Sequence, residues 1–427
     1  MNEQEKFNLR LTVFLSLGFF INILCFTFYY SQVSITLFQY LGSYGLVGFW
    51  MAIFNIIPIV VIPIISSVSD NTRTKYGRRM PYLMVGIPIS AIFFVLISTV
   101  NPNSDPLWLL LLYMLIFTLS MSSFRSQTIA LMPDFIKPVH RSKGYAVFNF
   151  MASVGSITAY LISFLLVPIS LMLGFLTIAV IMVLCLILMI LRVNENDSYG
   201  YQLIIEMEKE KDKKSKNDKG PFQSITESFR YIITNNDKSA VALLIGVFFW
   251  SAGLYGLRSL FSVYATDVLK LERGLAGTML VFLSFSFILM TIPSGIIGTK
   301  IGRKLTIKIG LVNLTFGMIL CHMFQTPLII IIGLIFAGAG FSFVVIHAVV
   351  ILWELIPSNK NTGTSTGLYF LAIFLGAIVG PIVIGFIIDF LLGTGFFFLI
   401  ILIFFIAGFI SILFVKGGEI EDISKIS

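Results

Sequence analysis

Ser69-Asp70-Asn71-Thr72-Arg73-Thr74-Lys75-Tyr76-Gly77-Arg78-Arg79-Met80-Pro81 is a polar island between two long apolar runs. It holds one acid, four permanent cations at positions 73, 75, 78 and 79, and a glycine that permits a tight turn. Its proline suits the first turn of a following helix. A soluble core has no use for such a stretch. A cytoplasmic connection between two membrane helices does, because Lys and Arg collect in the inner loops of membrane proteins.

The composition agrees with that reading. The chain has 427 residues, of which 57% are hydrophobic and 12% charged, with 42 Phe, and a mean hydropathy of +0.96. Soluble domains carry about 25% charged residues, so the lipid bilayer is the expected surrounding. The formal net charge of +8 is no nucleic-acid footprint, since the cations cluster in loops on one side. Cys25, Cys185 and Cys321 fall in or at the ends of apolar runs, which argues against a disulfide framework. No small-residue cleavage site follows a short apolar region near the N-terminus, so the first run reads as a retained helix.

Working outward from the island, apolar runs long enough to span a bilayer fall near 11–32, 45–69, 81–100, 107–132, 144–168 and 171–192. After a polar segment come 239–264, 274–298, 305–324, 327–352, 363–389 and 392–415. The expected fold is an all-α membrane protein with twelve transmembrane helices in two halves, residues 1–192 and 239–427, joined by a linker at 193–238. Arg125 and Arg258 lie within spans, and Lys270 and Arg273 in a 265–273 loop. The other cations fall in the termini, near 70–80, 133–143, 299–308 and 360, and in the linker. All of these lie on one side if the spans alternate. That side is the cytoplasm by the positive-inside rule, which puts both termini there and the protein in the cytoplasmic membrane. Within the linker, Glu206 to Lys219 is a mixed-charge run expected in solvent. Phe222, Ile225, Phe229 and Ile232 or Ile233 recur at helical spacing and predict a helix lying on the inner surface.

The halves also repeat. Ser69-Asp70 with Lys75-Tyr76-Gly77-Arg78-Arg79 is echoed by Gly298-Thr299-Lys300-Ile301-Gly302-Arg303-Lys304. Leu131-Met132-Pro133-Asp134-Phe135 is echoed by Leu352-Trp353-Glu354-Leu355. A parallel duplication places a substrate site between halves, an arrangement that an alternating-access carrier needs and an enzyme or channel has no particular need of.

These motifs resemble the major facilitator superfamily, whose second and third helices are joined by an Asp and a Gly-Arg-Arg turn. The longer string from Pro63-Ile64-Ile65 to Pro81-Tyr82 is similar to the sucrose and glycoside-pentoside-hexuronide:cation symporters. Ala130-Leu131-Met132-Pro133-Asp134 with Arg141-Ser142-Lys143, Gly363-Thr364-Ser365-Thr366-Gly367-Leu368-Tyr369 and Gly380-Pro381 with Gly385 and Asp389 extend the likeness over both halves. The resemblance implies sugar transport driven by protons or sodium. Two departures stand out. Sodium-coupled members carry two carboxylates in helix 2, at positions that are Pro58 and Ile62 here. The helix 4 aspartate of plant-type sucrose carriers falls at Thr118.

Candidate residues form two groups. On the cytoplasmic side, Asp70, Arg73, Gly77, Arg78, Arg79, Asp134, Arg141, Gly302, Arg303, Lys304 and Glu354 are read as an inner gate, because ion pairs that form and break suit a two-state element. Asp134 and Glu354 are expected near Arg141 and Lys360. The plainer alternative is a set of solvated topogenic charges. Within the spans, Arg125 lies nine residues before Asp134, about 13 Å along a helix, and such an arginine should face the bundle interior. Arg258 is read as an outer site or a snorkelling cation. His347 is a candidate proton carrier or a hydrogen-bonded packing residue. Asn22, Asn55, Asn149 and Trp250, with Gln32 and Asn313, offer amides and an aromatic face to a sugar; the alternative for each amide is an interhelical hydrogen bond. His322 and Asp389 read as structural, and Gly338-Ala339-Gly340 as helix packing.

The expected function is therefore a secondary transporter of a sugar or glycoside, coupled to H+, that needs no cofactor or metal and works as a monomer. Two alternatives stay open: an anion carrier or uniporter built on Arg125, and a transporter-like membrane sensor.

Overall fold

The computed structural model describes residues 7–136, 140–202, 238–355 and 362–417. Among the described residues the apolar runs form twelve helices, each long and apolar enough to cross a membrane. With no water to satisfy backbone groups in lipid, helices are the form such runs take. They are α1 (Leu9–Leu41), α2 (Tyr44–Asp70), α3 (Met80–Thr99), α4 (Leu107–Phe135), α5 (Arg141–Leu166), α6 (Leu171–Arg192) and α7 (Ser239–Asp267). Next comes α8, in two segments, Arg273–Thr278 and Val281–Ile301, followed by α9 (Arg303–Phe324), α10 (Pro327–Leu355), α11 (Thr362–Ile387) and α12 (Phe397–Leu413).

Two boundaries differ most clearly from the sequence reading. Helix α1 runs nine residues past Gln32, because Thr36, Leu37 and Tyr40 still find partners: the Tyr40 hydroxyl donates to the carbonyls of Asn101 and Asp105 at 3.2 and 3.0 Å. Gly42, with φ +60, then turns the chain into α2. Arg273 is not a loop residue but opens α8. The expected surface helix of the linker, and Lys360, lie outside the described residues.

Contacts divide the chain into two compact units. The first takes residues up to Tyr40, from Phe54 into the linker, and Glu272–Thr278. Its core is aromatic. Phe94 meets Phe175 at 4.6 Å and Phe117 at 5.1 Å, while Phe28 meets Phe175 edge-on at 5.0 Å. The second unit takes Leu41–Ile53, the second half up to Leu271, and everything from Met279 on. There Tyr264 stacks on Phe397 at 4.9 Å. Helices α9 and α10 pack backbone to backbone: a Cβ on Gly310 would lie 2.6 Å from the Gly340 carbonyl. Small residues drive such contacts in lipid, where burial of apolar surface gives little between helices.

Candidate functional site

The polar island folds into a buried ion cluster in the first unit. Arg78 pairs with Asp134 at 2.8 Å, and the Arg79 Nε with the other oxygen of Asp134 at 2.6 Å. Asp70 lies 3.1 Å from Arg79 and 3.6 Å from Arg78. Gln127 accepts from Arg79 at 2.9 Å and from the Ser69 hydroxyl at 2.8 Å. Arg78, Arg79 and Asp134 are only 5%, 7% and 7% exposed, so their attraction is little screened. Arg73 folds back on its own loop, donating to the carbonyls of Asp70 and Thr72, with its guanidinium 5.9 Å above the Tyr201 ring.

Asp134 therefore pairs with the arginines of the island; the Arg141 side chain, like Lys360, is not among those described. The residue that completes the cluster was not singled out in the sequence. Glu195, 0% exposed, sits in a short 3₁₀ turn just after α6. Its carboxylate accepts the backbone N–H of Arg79 at 2.8 Å and of Met80 at 2.9 Å, capping the open N-terminus of α3 from another segment. Gly77 makes this possible. It adopts φ +98, and a Cβ there would lie 2.5 Å from Glu195. Burial pushes the Glu195 carboxyl up from its ordinary value, while the backbone N–H groups pull it back and Asp134 adds to the rise. The only hint in the sequence is Asn194, whose side chain accepts from Asn196 N–H and starts the turn.

The second half repeats the turn but not the burial. Gly302 has φ +92, and Arg303 reaches Glu354 at 3.4 Å with both side chains substantially in solvent. Lys304 donates to the Lys416 carbonyl at 2.8 Å.

Inside the spans, Arg125 is half-buried in α4 with its guanidinium 5.4 Å above the Phe26 ring. No carboxylate pairs with it among the described residues. One turn along α1 from Phe26, Asn22 is 0% exposed, and neither its amide nitrogen nor its oxygen has a hydrogen-bond partner. Next on α1, Tyr29 stacks on Phe117 at 5.3 Å, and the Tyr30 hydroxyl donates to Asn55 at 2.6 Å. The structure thus gathers Arg125, Asn22 and Asn55 around an aromatic strip of α1 that the sequence did not single out. Asn149 is exposed and donates to its own helix, at the Tyr145 carbonyl. Trp250, 1% exposed, packs against Gly246 and Gly408. Arg258 in α7 is half-buried and makes no ion pair among the described residues. His347 bridges α10 to α8: its Nε2 lies 3.0 Å from the Ser294 carbonyl and 3.2 Å from the Ser294 hydroxyl. No cluster of three or more potential metal ligands occurs among the described residues.

Comparison with known proteins bears on this arrangement. The Major Facilitator Superfamily matches residues 15–287 and 243–425. The chain is similar to the probable actinorhodin transporter of Streptomyces coelicolor, 29% identical over 113 residues, which are 26% of this chain and 19% of that one. It is similar to the lactose permease of Lactobacillus helveticus, 34% identical over 55 residues, 13% of this chain and 9% of that one. These matches span about a fifth or less of each relative's own length. The crystal structure of the nucleoside transporter NupG superposes with a TM-score of 0.71 at 14% identity, covering 96% of this chain and all of that one. That likeness speaks to the fold alone.

Proposed function

This chain belongs to the Major Facilitator Superfamily, and we propose that it is a secondary active transporter of a sugar or glycoside. In this reading it works as a monomer in the cytoplasmic membrane with both termini inside. Its halves, residues 1–192 and 239–427, alternate access to a site near the bilayer midplane, joined by the 193–238 linker. It is a transporter and not an enzyme. The observation that carries the substrate reading is the strip of α1 facing α4 and α2. A guanidinium on a ring face, an unpartnered amide and a tyrosine–asparagine pair suit a hydroxyl-rich ring, which is bound by a few placed polar groups over aromatic surface. The short match to a lactose permease and the resemblance to the sucrose and glycoside symporters support the same class.

The proton is the coupling ion of this reading, since helix 2 carries Pro58 and Ile62 where the resemblance puts sodium-linked carboxylates. The buried Arg78, Arg79, Asp70, Asp134 and Glu195 cluster, together with the turn at Gly302, Arg303 and Glu354, serves as the inner gate. Uptake of labelled sugars into proteoliposomes, with and without an imposed proton gradient, tests the proposal. Gradient-stimulated accumulation is expected, and no uptake across a broad sugar panel would overturn the substrate class.

A second reading is favoured by one observation. Arg125 and Arg258 lack carboxylate partners among the described residues, and an unpaired cation in the bilayer is costly. A uronide or organic acid would supply the missing charge. In that case Arg125→Gln abolishes anion uptake far more than neutral-sugar uptake; equal losses argue for the neutral substrate.

A further inference from the structure

Beside the ion cluster, the first unit carries a cavity of about 340 Å³ that none of the cluster's residues lines. Its walls come from the start of α1, the end of α4, the turn into α5 and the segment just after α6. Leu11, Leu15 and Ile136 supply apolar surface, while His140, Arg192 and Asp197 bring charged or ionisable groups. A volume of this size, mostly apolar with a few polar groups, is that of a small-ligand site.

Charge decides which ligand it suits. Arg192 closes the last turn of α6, with its guanidinium 6.0 Å above the Phe14 ring, and no carboxylate pairs with it among the described residues. Asp197, the one acid among the lining residues, accepts from the Asn194 amide at 2.7 Å. Three lining residues have a cation as their next neighbour in the sequence: Phe7 has Lys6, Ile136 has Lys137 and His140 has Arg141. The balance is cationic, so an anion is favoured, and the apolar surface asks for one carried on a hydrocarbon body. A bilayer offers such a molecule at this depth. Leu188 and Leu191, at the same end of α6, are 43% and 71% exposed, as side chains that meet acyl chains are. Arg192 follows them where a long cation reaches toward the headgroups. Basic pockets between membrane helices hold anionic lipid heads in this way.

We propose that this cavity seats the head of an anionic glycerophospholipid that ends in hydroxyls, as phosphatidylglycerol does. Arg192 and His140 donate to the phosphodiester, and the Asp197 carboxylate accepts from the head's hydroxyls. A head ending in a carboxylate would meet Asp197 as a like charge. Occupancy also bears on the ion cluster. Asn194 caps, and Asp197 ends, the short turn that carries Glu195, so a lipid held there steadies the cap on α3. The inference needs a bilayer but no particular solute, and it stands apart from the substrate reading above.

The test titrates delipidated full-length protein in detergent with phosphatidylglycerol or phosphatidylcholine of identical chains, and native mass spectrometry counts the lipid bound. Phosphatidylglycerol is expected to bind more tightly than phosphatidylcholine. Arg192→Gln, at an exposed side chain, is expected to weaken it about fivefold, the worth of one cation beside anionic lipid. Leu11→Trp, which fills the cavity, is expected to weaken it as well. Lys300→Gln removes an exposed cation from the last turn of α8 and is expected to leave binding at the parental level. Melting temperatures without lipid are read alongside, so that a weakened variant with parental melting reports the site and not unfolding. Equal affinity for the two lipids, parental binding by Arg192→Gln, or an equal loss in Lys300→Gln overturns the site. Excess glycerol 3-phosphate is expected to leave the lipid in place; displacement would assign the cavity to a soluble phosphate and overturn the lipid. No sugar enters the measurement, so a failed uptake assay and a failed lipid site are separate results.

Discussion

Glu195 shows how much one side chain can organise. It is buried, holds two backbone N–H groups of α3, and requires a glycine at position 77. Gly77→Ala meets both a positive φ and a collision with that carboxylate. It is expected to cost about 1–3 kcal/mol, read as a lower melting temperature that Glu195→Ala partly restores by making room. Proton linkage follows from burial. The folded-state value of Glu195 lies above its ordinary one, so its contribution to stability is fully present below the unfolded value and declines as pH rises through the folded value. Raised from about pH 4 to about pH 7, the melting temperature of the parent should fall relative to that of Glu195→Gln. A difference that stays flat with pH would contradict the assignment. This residue was not legible beforehand, because an acid at the start of a polar linker looks like any solvated charge. Arg125 was legible, since a cation in an apolar run stands out. Its aromatic partner Phe26 was not, being one of 42 phenylalanines.

At the scale of elements, apolar run length and loop charge foretell all twelve helices, because in lipid the run itself dictates helix. What they do not foretell is where polar neighbours prolong a helix past the hydrocarbon, as in α1, or start one inside a presumed loop, as Arg273 does in α8. The repeat around Gly77 and Gly302 was readable as a motif, and both glycines take positive φ. The difference between the copies was not readable, since it depends on Glu195 and on burial. It has a measurable consequence. Asp134→Asn leaves Arg78 and Arg79 without their closest carboxylate in a buried site, and about 3 kcal/mol of destabilisation is expected. Glu354→Gln breaks an exposed pair and should cost no more than about 1 kcal/mol. Thermal unfolding of the two variants side by side checks the contrast; equal losses would mean that the halves are equivalent after all.

For the whole molecule, the polar groups divide between the ends and the middle of the spans. Charged groups gather at helix ends, where Arg78 and Arg79 pair with Asp134 and where Asp389 accepts the backbone N–H groups that open α2. The middle holds Arg125 and Asn22, which have no ionic or hydrogen-bonded partner to satisfy them among the described residues. A carrier needs that division, since its ends must latch and its centre must leave groups free for a solute. Uptake by purified protein in proteoliposomes tests this account most directly, comparing the parent with Arg125→Gln across labelled sugars under an inward proton gradient. The account predicts gradient-stimulated accumulation of at least one sugar or glycoside, reduced more than tenfold in Arg125→Gln, as about 1.4 kcal/mol or more of lost binding implies. No accumulation above protein-free liposomes, or full uptake by Arg125→Gln, would contradict it.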